Sequence, residues 1–487
     1  MITFLTGFVL LAVGALIYGR ICEKVMNPTD RKTPAVEKYD GVDYVPMKKW
    51  KNSLIELLNI AGTGPILGPI QGILFGPIAF ITIPIGCVIG GAFHDYMIGM
   101  ISSRSDGEQM PSLVKRFLGK YMYRLYNVFV CLMLLLLSVV FTYTPGDLFV
   151  TQLMGQKSSL DNPVMWIVYA AIFAYFIIAT LLPIDKIIGR IYPLFGGVLL
   201  LSAVGVFIGL FVKGYALDEI WSAGVSFVNP YGDNFIPIFF VTVACGIVSG
   251  FHSTQATLIS RTMSDEREGR MTFYNMMILE GFIAMVWAAA AMGAVNAGLV
   301  TNDMLHDKAT AVVGVVAKDM LGNVGGIIAI IGVIVLPITS GDTSLRSLRI
   351  IISEALNIDT TKKSKKLAVA GVIFSAAAGI LIFAKANTSG FNVLWRYFSW
   401  ANECTAVFAF AVISVYMMKN KMPYLMALFP GMFYMFIVSA YILNAQIGFR
   451  LPWSASYIGA GVLSFAYGTV LVVYGGAVRR ERKETKE

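Results

Sequence analysis

The stretch Ala61–Pro69, "AGTGPILGP", holds three glycines and two prolines in nine residues. Apolar sequence flanks it, "SLIELLNI" (53–60) before and "IQGILFGPIAFITIPI" (70–85) after. Hydrocarbon neither donates nor accepts hydrogen bonds, so a membrane helix must satisfy its own backbone. Helix breakers gathered inside an apolar span therefore have two readings. They line a polar cavity with unwound backbone, or they let helices pack closely and kink.

The surrounding chain has 487 residues, 57% hydrophobic and 14% charged, well below the charge content of a soluble domain. Apolar windows long enough for a bilayer recur near 2–19, 54–75, 78–102, 124–150, 163–183, 190–212, 235–260, 271–298, 324–348, 367–385, 390–418, 422–444 and 453–478. The expectation is an all-α polytopic plasma-membrane protein of about thirteen spans. The first window has no basic residue ahead of it and no small-residue cleavage site, so it is expected to be a retained span. Of the 38 lysines and arginines, 31 fall in alternate connections that start with loop 20–53 and end in the C-terminal tail. That bias predicts an N-terminus outside and a C-terminus inside. It also accounts for the net charge of +9 without a nucleic-acid partner. The expected partners are a substrate and the lipid bilayer, and no oligomeric state is specified.

The seventh window carries a second irregular patch, "CGIVSGFHSTQ" (245–255). It lies five spans after the first and runs in the opposite direction, the signature of an inverted-repeat transporter. Residues 54–213 would form one five-helix repeat and 214–421 the other. Residues 1–53 would add a peripheral helix with a basic linker, and 422–487 two peripheral helices with a basic tail. Candidate substrate-binding residues are Ala61, Gly62, Thr63, Gly64, Pro65, Gly68 and Pro69 in the first patch. Ser249, Gly250, Phe251, His252, Ser253 and Thr254 are their counterparts in the second. Freed carbonyls suit a cation, and N–H groups at half-helix starts suit a carboxylate. The segment Ala61–Pro69 is expected to be unwound and to face the His252 segment across the site.

Ionisable groups inside spans are costly and therefore candidates for function. His94 and Asp95 in "GGAFHDYMIG" form a plausible proton acceptor, or a structural pair linking helices. Glu280 lies in the eighth window. Thr339, Ser340, Asp342 and Thr343 in "LPITSGDTSLRSLR" make a cation or proton site, unless Asp342 pairs with Arg346 one turn on. Arg346, Asn402 and Glu403 are candidate gating residues, and Arg396 could attract an anion. Glu56 and Asp147 fall near span ends and receive no role. The loop 299–323 is long enough for an amphipathic helix that caps the outer face. The five cysteines form no metal-spaced pair, and no cofactor or resident metal is implied, although His94, Asp95 and His252 could share an ion. With three histidines and no nucleophile–base pattern, an enzyme is not expected, and no selectivity-filter repeat suggests a channel.

The segments "NIAGTGPILGPI", "GAFHDYMIGMISSRSDGEQM", "GIVSGFHS" and "SGDTSLRSLR" together resemble the carbon starvation protein A (CstA) family. The likeness runs from about Leu54 to Ala411, with the motifs in order. It implies a secondary transporter of the amino acid–polyamine–organocation superfamily with a LeuT-type 5+5 inverted repeat. Members are linked to peptide uptake under carbon limitation, and some to proton-coupled pyruvate uptake. Gly62, Gly64, Pro65, Gly68 and Pro69 match the first motif, Ser249–His252 the "SGFH" turn, and Asp342, Arg346 and Arg349 the last. The chain departs from the pattern at Glu403, where a glutamine is usual, and after "SGFHS", where it reads "TQATLISRTMSDEREGR". The expected function is import of peptides by proton-coupled alternating access. The alternative is a proton- or sodium-coupled importer of pyruvate, another small carboxylate or an amino acid.

Overall fold

In the computed structural model of the chain, the described residues are 1–484 other than 42, 182–184, 223, 359–362 and 388. The side chains of 180, 181, 185–195, 339, 342, 363 and 479–484 lie outside the description as well. Among the described residues the chain is helical, without strands. Ten helices are long and apolar enough to cross a membrane, or eleven if one bent pair counts as a single span. Among the described residues, ten or eleven of the thirteen expected spans are thus accounted for. Windows 163–183 and 190–212 contribute only the shorter apolar helices Pro163–Ala179 and Gly196–Val212 among the described residues. The chain is a multi-pass membrane protein.

The bent pair is the stretch that decides the fold. Helix α1 (Lys49–Ile60) meets α2 (Gly64–Gly72, extended by a short 3-10 turn to Phe75) at 49°. Ala61 leaves helical geometry at φ −79° and ψ 65°, and the Gly62 N–H folds back to Ile60 O at 2.9 Å. The helix restarts once Thr63 O accepts from the Leu67 N–H at 2.9 Å. The unwound segment is thus Ala61–Thr63, shorter than the expected Ala61–Pro69. Pro65 sits in the first turn of α2, where its missing N–H would have no partner and its fixed φ suits the helix. Gly64, Gly68 and Gly72 share one face of α2, four residues apart. A Cβ at Gly64 would collide with Cys245, at Gly68 it would lie 2.8 Å from Thr242 O, and at Gly72 2.5 Å from Val243 Cγ1. Close packing, not unwinding, explains Gly64 and Gly68.

The residues on the other side of that contact belong to α5 in the following set. Helix α3 is Phe93–Ser103, α4 Met110–Leu148, α5 Phe240–Ile247, α6 Gly250–Ile259 and α7 Asn275–Asn296. Then come α8 (Asn302–Asp307), α9 (Ala309–Ala355), α10 (Lys363–Ala386) and α11 (Gly390–Lys419). The second break separates α5 from α6. Val248 (φ −152°, ψ 132°) and Ser249 (φ −136°, ψ 125°) are extended.

Two further irregularities match each other. Gly119 (φ 87°, ψ 176°) divides a short helical segment from the long part of α4. Gly322 (φ 69°, ψ 177°) does the same in α9. Both conformations lie where a side chain is strained, so glycine makes the elbow. The loop expected at 299–323 is α8 followed by the first stretch of α9 up to this elbow. Helices α4 and α9 pack against each other.

Candidate functional site

A six-residue π-helical run, Cys87–Ala92, leads directly into α3 and precedes His94 and Asp95. Such widened turns favour functional positions because they reorient the residues that follow. Both side chains are fully buried. His94 Nδ1 lies 2.7 Å from Asp95 Oδ1, and the second Asp95 oxygen lies 3.1 Å from His252 Nδ1. His252 Nε2 in turn lies 3.5 Å from Glu280 Oε2. Three helices, α3, α6 and α7, thus supply a row from imidazole to carboxylate to imidazole, hydrogen-bonded as far as His252, with the Glu280 carboxylate at ion-pair distance beyond it.

The chemistry of that chain follows from its donors. An ionised Asp95 accepts Nδ1–H from both imidazoles. His252 then presents Nε2 to Glu280, and one proton must reside on either the ring or the carboxyl for the two to attract. His94 Nε2 and both Glu280 oxygens have no hydrogen-bond partner. Isolated charge in such surroundings is expensive. The cluster places four titratable groups in series.

The two breaks share one small cavity of about 10 Å³. Ile60, Gly62 and Gly64 line it from the first break, and Cys245, Ser249, Phe251 and His252 from the second. That volume is close to the minimum for a single water. A second cavity of about 50 Å³, bounded by Gln109–Pro111, Thr254, Gln255, Thr343 and Ser347, lies beyond Phe251, which lines both.

Asn402 holds the second break in shape. Its Oδ1 accepts the Phe251 N–H at 2.8 Å, and its Nδ2 donates to Ser249 Oγ at 3.0 Å. Gly250 permits this approach, because a Cβ there would overlap Thr405 Oγ1 and the Asn402 carbonyl. Glu403 beside it is fully buried with both oxygens unpartnered. The Ser253 and Thr254 hydroxyls turn back to the carbonyls of Gly250 (2.6 Å) and Phe251 (2.7 Å) and so bond within their own helix.

Of the ninth-window group, the side chains of Thr339 and Asp342 lie outside the described residues, so their cation site and the Asp342–Arg346 pair do too. Ser340 is buried and Thr343 lines the 50 Å³ cavity. Arg346 donates to Ala179 O at 3.0 Å. Arg396 pairs with Asp233. Among the described residues no group of three or more His, Cys, Asp or Glu could hold a metal ion.

Glu56 and Asp147, given no role in the sequence, prove to be buried. Glu56 is fully buried, and neither of its oxygens has a hydrogen-bond partner among the described residues. Asp147 accepts from Lys385 Nζ at 2.7 Å and from Thr310 Oγ1 at 2.6 Å, with the ammonium 4.0 Å above the Tyr143 ring. At the end carrying α8, Gln71 donates to His306 O at 3.0 Å, and Tyr231 stacks on the His306 ring. Tyr231 also donates to Asp303 at 2.5 Å; burial and that carboxylate push its phenol up to about 12. At the opposite end, Arg104 donates to both oxygens of buried Glu266 at 3.0 Å. Burial opposes the Arg104 charge, but these bonds outweigh it and hold the guanidinium above its usual range.

The family model described as "Carbon starvation protein CstA" matches residues 1–159, 144–314 and 294–441. An uncharacterized membrane protein of Haemophilus influenzae is 43% identical over 337 residues, 60% of this chain and 91% of that protein. The pyruvate/proton symporter BtsT of Escherichia coli is 26% identical over 340 residues, 56% of this chain and 46% of the symporter. The peptide transporter CstA of Escherichia coli is 24% identical over 323 residues, 55% of this chain and 46% of that transporter. The match therefore spans about half the length of these two transporters. A crystal structure of an Eremococcus coleocola manganese transporter superposes with a TM-score of 0.54 at 10% identity, covering 90% of this chain and 98% of the other. At that identity the likeness is one of fold. BtsT, CstA and this structural neighbour are named as transporters, not enzymes.

Proposed function

The chain belongs to the carbon starvation protein CstA family, and on that premise we propose that it is a secondary active importer of the plasma membrane, coupled to protons and working by alternating access. The substrate is a peptide taken up under carbon limitation. The single observation that carries the reading is the buried His94–Asp95–His252–Glu280 chain, which begins beside one helix break and shares His252 with the cavity between both.

The architecture supporting it is a LeuT-type 5+5 inverted repeat over 54–213 and 214–421. Two paired irregularities favour this reading. The breaks at Ala61–Thr63 and Val248–Ser249 lie in spans two and seven of the sequence count, and the Gly119 and Gly322 elbows precede spans four and nine. Half-helices α2 and α6 both start at the cavity, so helix-start N–H groups converge where a substrate carboxylate would sit. A proton gained at the imidazole–carboxylate chain changes the charge beside that carboxylate. Binding of the two is thereby linked.

Pyruvate is the second reading. It carries the same carboxylate, and the likeness to the pyruvate/proton symporter is as strong as that to the peptide transporters. The deciding experiment reconstitutes purified protein in liposomes and measures accumulation of labelled dialanine and pyruvate under a proton gradient, and separately under a sodium gradient. Concentrative uptake of one probe driven by protons is expected. Uptake driven by sodium alone overturns the coupling, and uptake that equilibrates without concentrating overturns active transport.

A further inference from the structure

We propose that Glu56 is a second proton carrier, through which the proton bound by the central chain leaves along the α1 face toward the basic loops. This rests on the proton-coupled reading above. Glu56 lies on α1 seven residues after Lys49, so it stands about 10 Å along the helix from its start. It is fully buried, and both its oxygens lack hydrogen-bond partners, as do both oxygens of Glu280. A buried carboxylate with no structural bond to make is costly to keep. Helix α1 packs against α6 and α7, which carry His252 and Glu280. The charged groups whose fields reach Glu56 most strongly are Asp95 and Glu280; His252 lies on α6 and Arg270 and Tyr274 on the short helical turn 270–274, both of which pack against α1.

Polar groups continue from Glu56 toward the start of α1. Asn52, one turn earlier on the same face, is fully buried with an unpartnered Nδ2, and its Oδ1 accepts from Thr262 Oγ1 at 2.5 Å. Ser53 Oγ lies 3.3 Å from Thr272 Oγ1. Thr262 is half-buried and reaches the segment that holds Arg261, Arg267 and Arg270. In the other direction Leu57, Leu58 and Ile60 are buried, Asn59 is half-buried, and α1 ends at the break that holds Thr63.

The step balances without any further reactant. The O–H bond of protonated Glu280 breaks and a new O–H bond forms on the Glu56 carboxylate, relayed by water, because neither carboxylate has a hydrogen-bond partner among the described residues. Glu280 is left ionised and ready to take the proton of His252 Nε2. Glu56 then gives its proton to water near Asn52 and Thr262 and is a carboxylate again.

The test uses full-length protein in liposomes and compares wild type, Glu56→Gln and Glu56→Asp. Proton-driven accumulation of labelled dialanine or pyruvate is expected to fall roughly a hundredfold in Glu56→Gln. Counterflow of the same probe, which needs no net proton movement, stays within about twofold, and Glu56→Asp recovers accumulation. Full accumulation in Glu56→Gln overturns the proposal, and so does loss of counterflow together with accumulation, which assigns Glu56 to substrate binding. A wild type that concentrates neither probe overturns the proton-coupled reading itself. Infrared difference spectra of purified protein across pH give an answer independent of substrate. A carboxyl band present in wild type and missing in Glu56→Gln is expected, and identical spectra overturn the role of Glu56.

Discussion

The two helix breaks differ in what satisfies them. At Ala61–Thr63 the chain unwinds with glycine, and the buried Thr63 hydroxyl has no partner. At Val248–Ser249 the unwound backbone is gripped by Asn402, and the next residues lead through His252 into a chain of buried charge. One break leaves polar atoms free; the other has committed them. The difference divides labour, with the first break suited to meeting a ligand and the second to sensing a proton.

Breaking that division should be most damaging at the wired end. Asp95→Asn removes the charge that both imidazoles share, and proton-driven uptake is expected to drop by about two to four orders of magnitude, read in liposomes. Next comes the packing that lets Asn402 reach the break. Gly250→Ala forces a Cβ into Thr405 and the Asn402 carbonyl, and thermal unfolding should show a loss of about 1–3 kcal/mol. Asn402→Ala leaves the Phe251 N–H without its partner and should cost about 1–3 kcal/mol in the same assay. Thr63→Val sharpens the contrast. Stability should stay within about 0.5 kcal/mol while substrate-induced thermal stabilisation declines. Equal losses in Asn402→Ala and Thr63→Val would erase the distinction between the breaks.

The smallest effect lies outside both breaks. Tyr231 donates to Asp303 only while protonated, and its pKa is raised from 10.0 to about 12. The contribution of this contact is therefore complete below pH 10.0 and lost as pH rises through about 12. Tyr231→Phe should abolish that alkaline step, followed by exchange of amides in α8.

The positions of the breaks and the His94–Asp95 pair were legible because glycine, proline and intramembrane charge are local signals. The extent of the first break was not. Pro65 and Pro69 count as breakers in a sequence, yet Pro65 in the first turn starts a helix, Pro69 lies inside α2 without ending it, and Gly64, Gly68 and Gly72 serve the contact with α5. Glu56 was missed for a different reason. The apolar window begins at Leu54, whereas α1 begins at Lys49, which moves Glu56 from a span's edge to its interior. Asn402, and the Lys385 that meets Asp147, reach partners more than 150 residues away, and no local pattern announces such contacts. The side chains of Thr339 and Asp342 lie outside the described residues.

Phe251 lines the compartment between the breaks and the one that opens toward Gln109–Pro111. Phe251 is the residue common to both linings, whereas the end carrying α8 is closed by several interlocked side chains. Rotation of a single side chain is a far faster event than rocking a helix bundle. Under the proposed alternating access, the ring would be a fast shutter ahead of a slower door, and leak would be set by how seldom both stand open together.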